Sequence, residues 1–187
     1  MTENNANEPK TPEINVDGVV YSPELKKGYD EAFLTRVEIG DRKGIQCTAA
    51  LSQQLKRIVN ILGYGRTTIG SYVQNILECH LAMHKVVINE LKAASLLSDN
   101  DETAMDKISL AAKKYQAFYL TGDDTNRSRK KLYVSKDLVD RIHKIIKDVD
   151  GGKPTVGSYA ECIIRQHLDM CGDVIAEMTN DKCRNDS

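Results

Sequence analysis

The sequence predicts a mainly α protein with short β-strands. It is built from two tandem strand-helix-helix units that close on each other as an intramolecular pseudo-dimer. Three observations carry this expectation. Residues 65–72 read Gly-Arg-Thr-Thr-Ile-Gly-Ser-Tyr, and residues 152–159, 87 positions later, read Gly-Lys-Pro-Thr-Val-Gly-Ser-Tyr. At that offset 45–91 aligns with 132–178 without a gap and 14 of the 47 pairs are identical, which marks one supersecondary unit used twice. Finally, a unit of about 50 residues buries too little surface to be secure alone, so the copies are expected to share a core.

Each element has its own justification. Residues 1–28 are expected to form an acidic tail. Its first 20 positions are rich in Asn, Glu, Pro and Thr, with little to bury, and read as disordered. Ser22 to Leu34 carries the cluster Tyr29, Phe33, Leu34, echoed later by Tyr115, Phe118, Leu120, and suggests a short helix or turn ahead of each unit. Apolar residues then alternate, Ile45/Cys47 in one copy and Leu132/Val134 in the other, the period-2 pattern of a half-buried strand. Strands so short are unstable in isolation, and the obvious partner of each is the other copy. Thr48 and Ser135 stand where N-caps belong. Behind them Leu51, Leu55, Ile58, Val59, Leu62 and Leu138, Ile142, Ile145, Ile146, Val149 recur at helical spacing. Glycine turns follow, then second helices with stripes Tyr72, Ile76, Leu77, His80, Leu81 and Tyr159, Ile163, Ile164, His167, Leu168. The first of these continues in pattern to about Leu97. The first unit is thus assigned to 29–97, a helical linker with a helix from Ala104 to Leu120 to 98–127, the second unit to 128–180, and a tail to 181–187.

Charge is unevenly divided. Residues 1–41 carry four Lys/Arg against nine Asp/Glu, while 42–92 carry seven against two. The second unit is also basic and the linker acidic, an asymmetry that hints at an anionic partner. No apolar run reaches the length of a membrane span and no signal pattern opens the chain, so a cytoplasmic, nucleoid-associated protein without membrane contact is expected. Five cysteines, odd in number and without CxxC, read as reduced thiols.

Strand, helix, glycine turn, helix, with Arg-Lys ahead of the strand, resembles the ribbon-helix-helix DNA-binding fold. In that fold two copies pair their strands into an antiparallel ribbon that enters the major groove. The run Gly70-Ser71-Tyr72-Val73-Gln74-Asn75-Ile76-Leu77-Glu78-Cys79-His80-Leu81, with the later Ile88-Asn89-Glu90-Leu91, is similar to small proteins of unassigned function carried by Bacteroides-type conjugative transposons. Phe33-Leu34, Arg42 and the strand at 45–48 fit the same pattern. The second copy keeps Gly157-Ser158-Tyr159, Ile163 and His167 but has Cys162 in place of Asn75. The resemblance implies a DNA-associated role on a mobile element.

On this reading the outer strand face carries the base-reading candidates, Gln46 and Thr48 from one copy and Lys131, Tyr133 and Ser135 from the other, with Gly44 offering nothing. Phosphate contacts are assigned to Arg42, Lys43, Arg129 and Lys130. They are also assigned to the starts of the second helices, Arg66, Thr67, Thr68, Ser71 and Lys153, Thr155, Ser158, where hydroxyls and unpaired amides favour an anion. Plain N-capping is a role the same hydroxyls would fill anyway, and the two roles are compatible. The pairs His80/His84 and His167/Cys171 have metal-ligand spacing but lack further donors, and packing inside the core is the preferred reading. No catalytic constellation, cofactor or metal site is expected. Because the reading faces differ, a single chain should recognise a non-palindromic site, with the Lys131/Tyr133 half contributing more of the specificity. The alternatives are a homo-oligomer that pairs each repeat with its counterpart in another chain, and a protein-interaction component of the transfer machinery that does not bind DNA.

Overall fold

The computed structural model describes residues 22–98, 107–120, 128–150 and 152–185. Residues 1–21 of the expected tail and residues 121–127 of the expected linker lie outside the described residues. The rest of the expected tail, to residue 28, is not tail but enters a helix that begins at Pro23 behind the N-cap Ser22. Two units of the same design follow one another. The first comprises α1 (Pro23–Phe33), β1 (Arg42–Thr48), α2 (Ala49–Leu62), α3 (Ile69–Met83) and α4 (Lys85–Ser98). The second comprises α5 (Leu110–Tyr119), β2 (Arg129–Ser135), α6 (Lys136–Asp150), α7 (Val156–Met170) and α8 (Gly172–Asn185).

The strands pair antiparallel within the one chain, with Ile45 opposite Leu132 at the centre and Arg42 and Thr48 opposite Ser135 and Arg129 at the ends. Because Ile45 and Leu132 are also equivalent positions of the two copies, a pseudo-twofold axis passes between them. Helices pack across this axis. α3 lies on β2, α7 on β1, α4 on α6, α2 on α8, and α3 meets α7. The apolar stripes read from the sequence enter one core drawn from both units: Leu51, Leu55, Leu62, Leu138, Ile142 and Ile146 are almost wholly buried. Each unit therefore covers apolar surface that the other would leave in water.

Local chemistry sets the element ends. Thr48, Thr68 and Thr155 are extended N-caps whose hydroxyls accept from the backbone N–H groups of Leu51, Ser71 and Ser158. The turns between the first and second helices pass through left-handed backbone at the equivalent Gly65 (φ 73°) and Gly152 (φ 88°), where a β-carbon would be strained.

Three further boundaries differ from the sequence reading. The second helix does not continue to Leu97. It stops at His84 (φ −97°, ψ 10°), and a new helix begins at Lys85. The other unit breaks at the equivalent Cys171 (φ −101°, ψ 7°). This change of direction brings Ile88 and Leu91 into the core. The linker helix starts at Leu110 rather than Ala104, because Ser109 caps it and is itself held by Glu90, which accepts from the Ser109 N–H at 2.5 Å and hydroxyl at 2.8 Å. That helix also belongs to the second unit, in which Tyr115 takes the place of Tyr29. Finally, α8 runs to Asn185, into the segment expected to be a tail. No helix among the described residues is long and apolar enough to cross a membrane.

Candidate nucleic-acid interface

Alternation along the ribbon divides its side chains cleanly. Ile45, Cys47, Leu132 and Val134 point into the core, whereas Gly44, Gln46, Lys131 and Tyr133 are exposed on the outer face. The register places Gln46 directly opposite Lys131 and Gly44 directly opposite Tyr133. A β-carbon built on Gly44 would lie 3.5 Å from both the Lys131 stem and the Tyr133 ring, so these two side chains reach over the glycine. The strands carry five Lys/Arg (Arg42, Lys43, Arg129, Lys130 and Lys131) and no carboxylate.

The ribbon is held by the starts of the second helices, and the repeated glycines explain how. A β-carbon on Gly70 would sit 2.5 Å from the carbonyl oxygen of Tyr133, and one on Gly157 would sit 2.6 Å from that of Gln46. Only glycine lets each helix approach the partner unit's strand so closely. One turn further along, Gln74 and its equivalent Glu161 fasten the strand ends. Gln74 Oε1 accepts from the Ser135 N–H at 3.0 Å and its Nε2 donates to the Ser135 hydroxyl at 3.0 Å. Glu161 accepts from the Thr48 N–H at 3.0 Å and from the Thr48 hydroxyl at 2.8 Å. Burial alone would raise the Glu161 carboxyl, but hydrogen bonds from Arg165 and Thr48 outweigh it and hold it below the usual range.

These contacts revise several expected roles. Thr48 and Ser135 are half-buried and their hydroxyls are engaged in capping and in the links to Glu161 and Gln74, so they close the ribbon's ends rather than stand on its open face. Ser71 is 1% exposed and donates to the Val37 carbonyl, and Thr67 is 5% exposed; neither can touch a phosphate from where it lies. Arg66 is forked onto Asp30 at 2.9 and 3.0 Å. Thr68 is exposed as a helix cap, and in the second unit Lys153 and Thr155 are exposed and Ser158 is half-buried. Lys43 is paired with Asp140 at 3.0 Å, and Arg42 donates weakly to the Ile39 carbonyl at 3.4 Å. Lys131 and Tyr133, expected to act in the same half, fall on opposite sides of the pseudo-twofold axis because the strands run antiparallel.

A family model described as a protein of unknown function (DUF3408) matches residues 3–95 and again residues 98–182. The chain belongs to the DUF3408 family. It contains two tandem copies of the family's unit, and the second match includes α5 together with β2 and its helices. No curated protein and no solved structure matches the chain.

The two DUF3408 units are tied behind the ribbon by a pair of buried tyrosine–histidine clusters. The Tyr29 hydroxyl lies 2.5 Å from that of Tyr72 and 3.1 Å from His167 Nε2. The Tyr115 hydroxyl is hydrogen-bonded to that of Tyr159 and lies 2.9 Å from His80 Nε2. Each cluster thus joins a unit's leading helix and second helix to the histidine of the other unit. Burial pushes His80 down to about 3, with His84 adding to the shift, and pushes His167 down to about 4, so both imidazoles are neutral near pH 7. Among the described residues no three His, Cys, Asp or Glu side chains gather as a metal site. Sequence reasoning put these histidines in the core but missed their partners and the Gln74/Glu161 links. The offset of 87 held the signal, since it aligns Gln74 with Glu161 and Thr48 with Ser135.

Proposed function

We propose that this chain is a double-stranded DNA-binding protein of a mobile element, built as a ribbon-helix-helix pseudo-dimer that lays β1 and β2 in the major groove. The observation that carries the reading is the ribbon itself: two strands with five cations and no carboxylate, apolar on the inside and exposed on the outside. A groove about 12 Å wide admits a two-stranded ribbon, and no sequence-reading helix is needed. Gln46, Lys131 and Tyr133 face the base edges. Arg42, Lys43, Arg129 and Lys130 serve the phosphates, with Thr68, Lys153, Thr155 and Ser158 at the helix starts. Arg66 joins them on release from Asp30. The ordered ribbon within one chain supports a single molecule as the binding unit. The resemblance to proteins of conjugative transposons supports a role as regulator, transfer-origin accessory or partition-site binder.

Electrophoretic mobility shift on random duplex at low salt tests the reading. Binding that weakens steeply with salt is expected, because cations that neutralise phosphates release counterions. No shift at low salt would reject DNA binding and leave a component that docks other proteins of the transfer machinery.

A further inference from the structure

The sense in which the ribbon is asymmetric can be read from its register, and this inference rests on the DNA-binding reading above. In a symmetric ribbon each half of the outer face would pair the same two side chains. Here equivalent positions of the two copies are Gly44 with Lys131 and Gln46 with Tyr133, and all four residues differ. Antiparallel pairing then sorts them across the axis, with Gln46 beside Lys131 on one side and Gly44 beside Tyr133 on the other. The first pair adjoins the start of α7, whose Gly157 meets the Gln46 backbone, and the second adjoins the start of α3, whose Gly70 meets the Tyr133 backbone.

We infer that the chain reads a directional site with two unlike halves: a purine-specifying half under Gln46 and Lys131 on the α7 side, and a weakly specified half under Tyr133 on the α3 side. Lysine donates to the acceptor edge of guanine, and glutamine pairs with the donor-acceptor edge of adenine. On the other side Gly44 supplies no group, and the half-exposed Tyr133 ring offers an apolar face suited to a thymine methyl and a single hydroxyl. The partition runs across the two strands, not along them. One half-site therefore depends on residues from both repeats, 85 positions apart in the chain.

The test is selection of bound duplexes from a randomised pool by the full chain, repeated with Gln46→Ala, Lys131→Ala and Tyr133→Ala, all exposed positions whose loss leaves the core intact. The expected wild-type site lacks an internal dyad. Gln46→Ala and Lys131→Ala should each lower base preference about 5- to 100-fold in the same half, the range for removing one side-chain-to-base pair. Tyr133→Ala should relax the other half by less. A further variant makes the faces alike. Gly44→Lys with Gln46→Tyr gives both strands the same outer residues, and the ordinary 3.5 Å spacing above Gly44 leaves room for a side chain. Its selected site should become palindromic. A palindromic wild-type site, or loss of preference in opposite halves for Gln46→Ala and Lys131→Ala, would overturn the inference while leaving DNA binding intact. Absence of any duplex binding at low salt would remove the DNA reading, and this inference with it.

Discussion

The buried tyrosine–histidine clusters and the outer face of the ribbon lie on opposite sides of the same two strands, and the two repeats treat them in opposite ways. In the clusters the copies agree: Tyr29/Tyr115, Tyr72/Tyr159 and His80/His167 are the same residues in related places. At the centre of the outer face the copies differ, Gly44 against Lys131 and Gln46 against Tyr133, while only the flanking cations Arg42/Arg129 and Lys43/Lys130 agree. The cause is physical. A buried hydroxyl or imidazole must find a partner, so a change on one side of the axis strands its counterpart on the other. An exposed strand position answers only to solvent or a ligand, so the two copies are free to differ there.

This contrast is broken most strongly from the core side. Tyr72→Ala and Tyr159→Ala each remove a fully buried ring and a hydrogen-bond partner. Each should cost about 3 kcal/mol or more, and by similar amounts because the sites are related by the pseudo-twofold axis. Thermal melts of the two variants check this; a loss confined to one of them would mean that only one cluster holds the units together.

Next in size are the glycines where the helices touch the ribbon. Gly70→Ala and Gly157→Ala place a methyl within 2.6 Å of a backbone carbonyl, which a flexible side chain could evade but a strand cannot. An overpacking cost of about 1–3 kcal/mol is expected in denaturant unfolding, together with weakened DNA binding as the ribbon is pushed out of register. Normal stability for both would contradict the close approach.

The histidines supply an effect that is absent at neutral pH and grows continuously with acidification. Their folded pKa values lie below the ordinary value of 6.5, so the unfolded chain binds protons that the folded chain refuses. Stability is therefore full above about pH 6.5 and falls with acidification toward pH 4 and 3, by up to about 1.4 kcal/mol per pH unit for each histidine. Melting temperatures measured from pH 7 to pH 4.5 check the slope. Replacing His167 by Gln should flatten it, although the variant starts from a lower stability.

Much of this architecture was legible in the sequence. The offset of 87 and the alternation at Ile45/Cys47 and Leu132/Val134 were enough to pair the strands and assign both helix stripes. What could not be read is what depends on antiparallel closure. The partners of Thr48 and Ser135 lie 113 and 61 residues away, on the other unit's second helix. The break at His84 was hidden because Val87, Ile88 and Leu91 continue the apolar spacing across it. Ser71 and Thr67 looked like phosphate ligands because their type and place at a helix start are right; only the burial of both, and the bond from Ser71 to the Val37 carbonyl, show otherwise.

The smallest effect on stability, and the sharpest probe of the outer face, comes from the ribbon's cations. Arg42, Lys43 and Lys130 are exposed, and the Lys43–Asp140 pair is a surface ion pair of the kind that contributes little to folding. Arg42→Ala with Lys43→Ala, or Lys130→Ala, should therefore shift stability by no more than about 0.5 kcal/mol. On duplex DNA the same changes should weaken binding to every sequence alike, because phosphates carry no base information. The logarithmic salt slope should fall by about one for each phosphate that is no longer neutralised. Titrations at several salt concentrations, on the selected site and on random duplex, separate the outcomes. An unchanged slope would take these residues off the phosphates, whereas a loss restricted to the selected site would make them base readers and move the reading face toward the ribbon's ends.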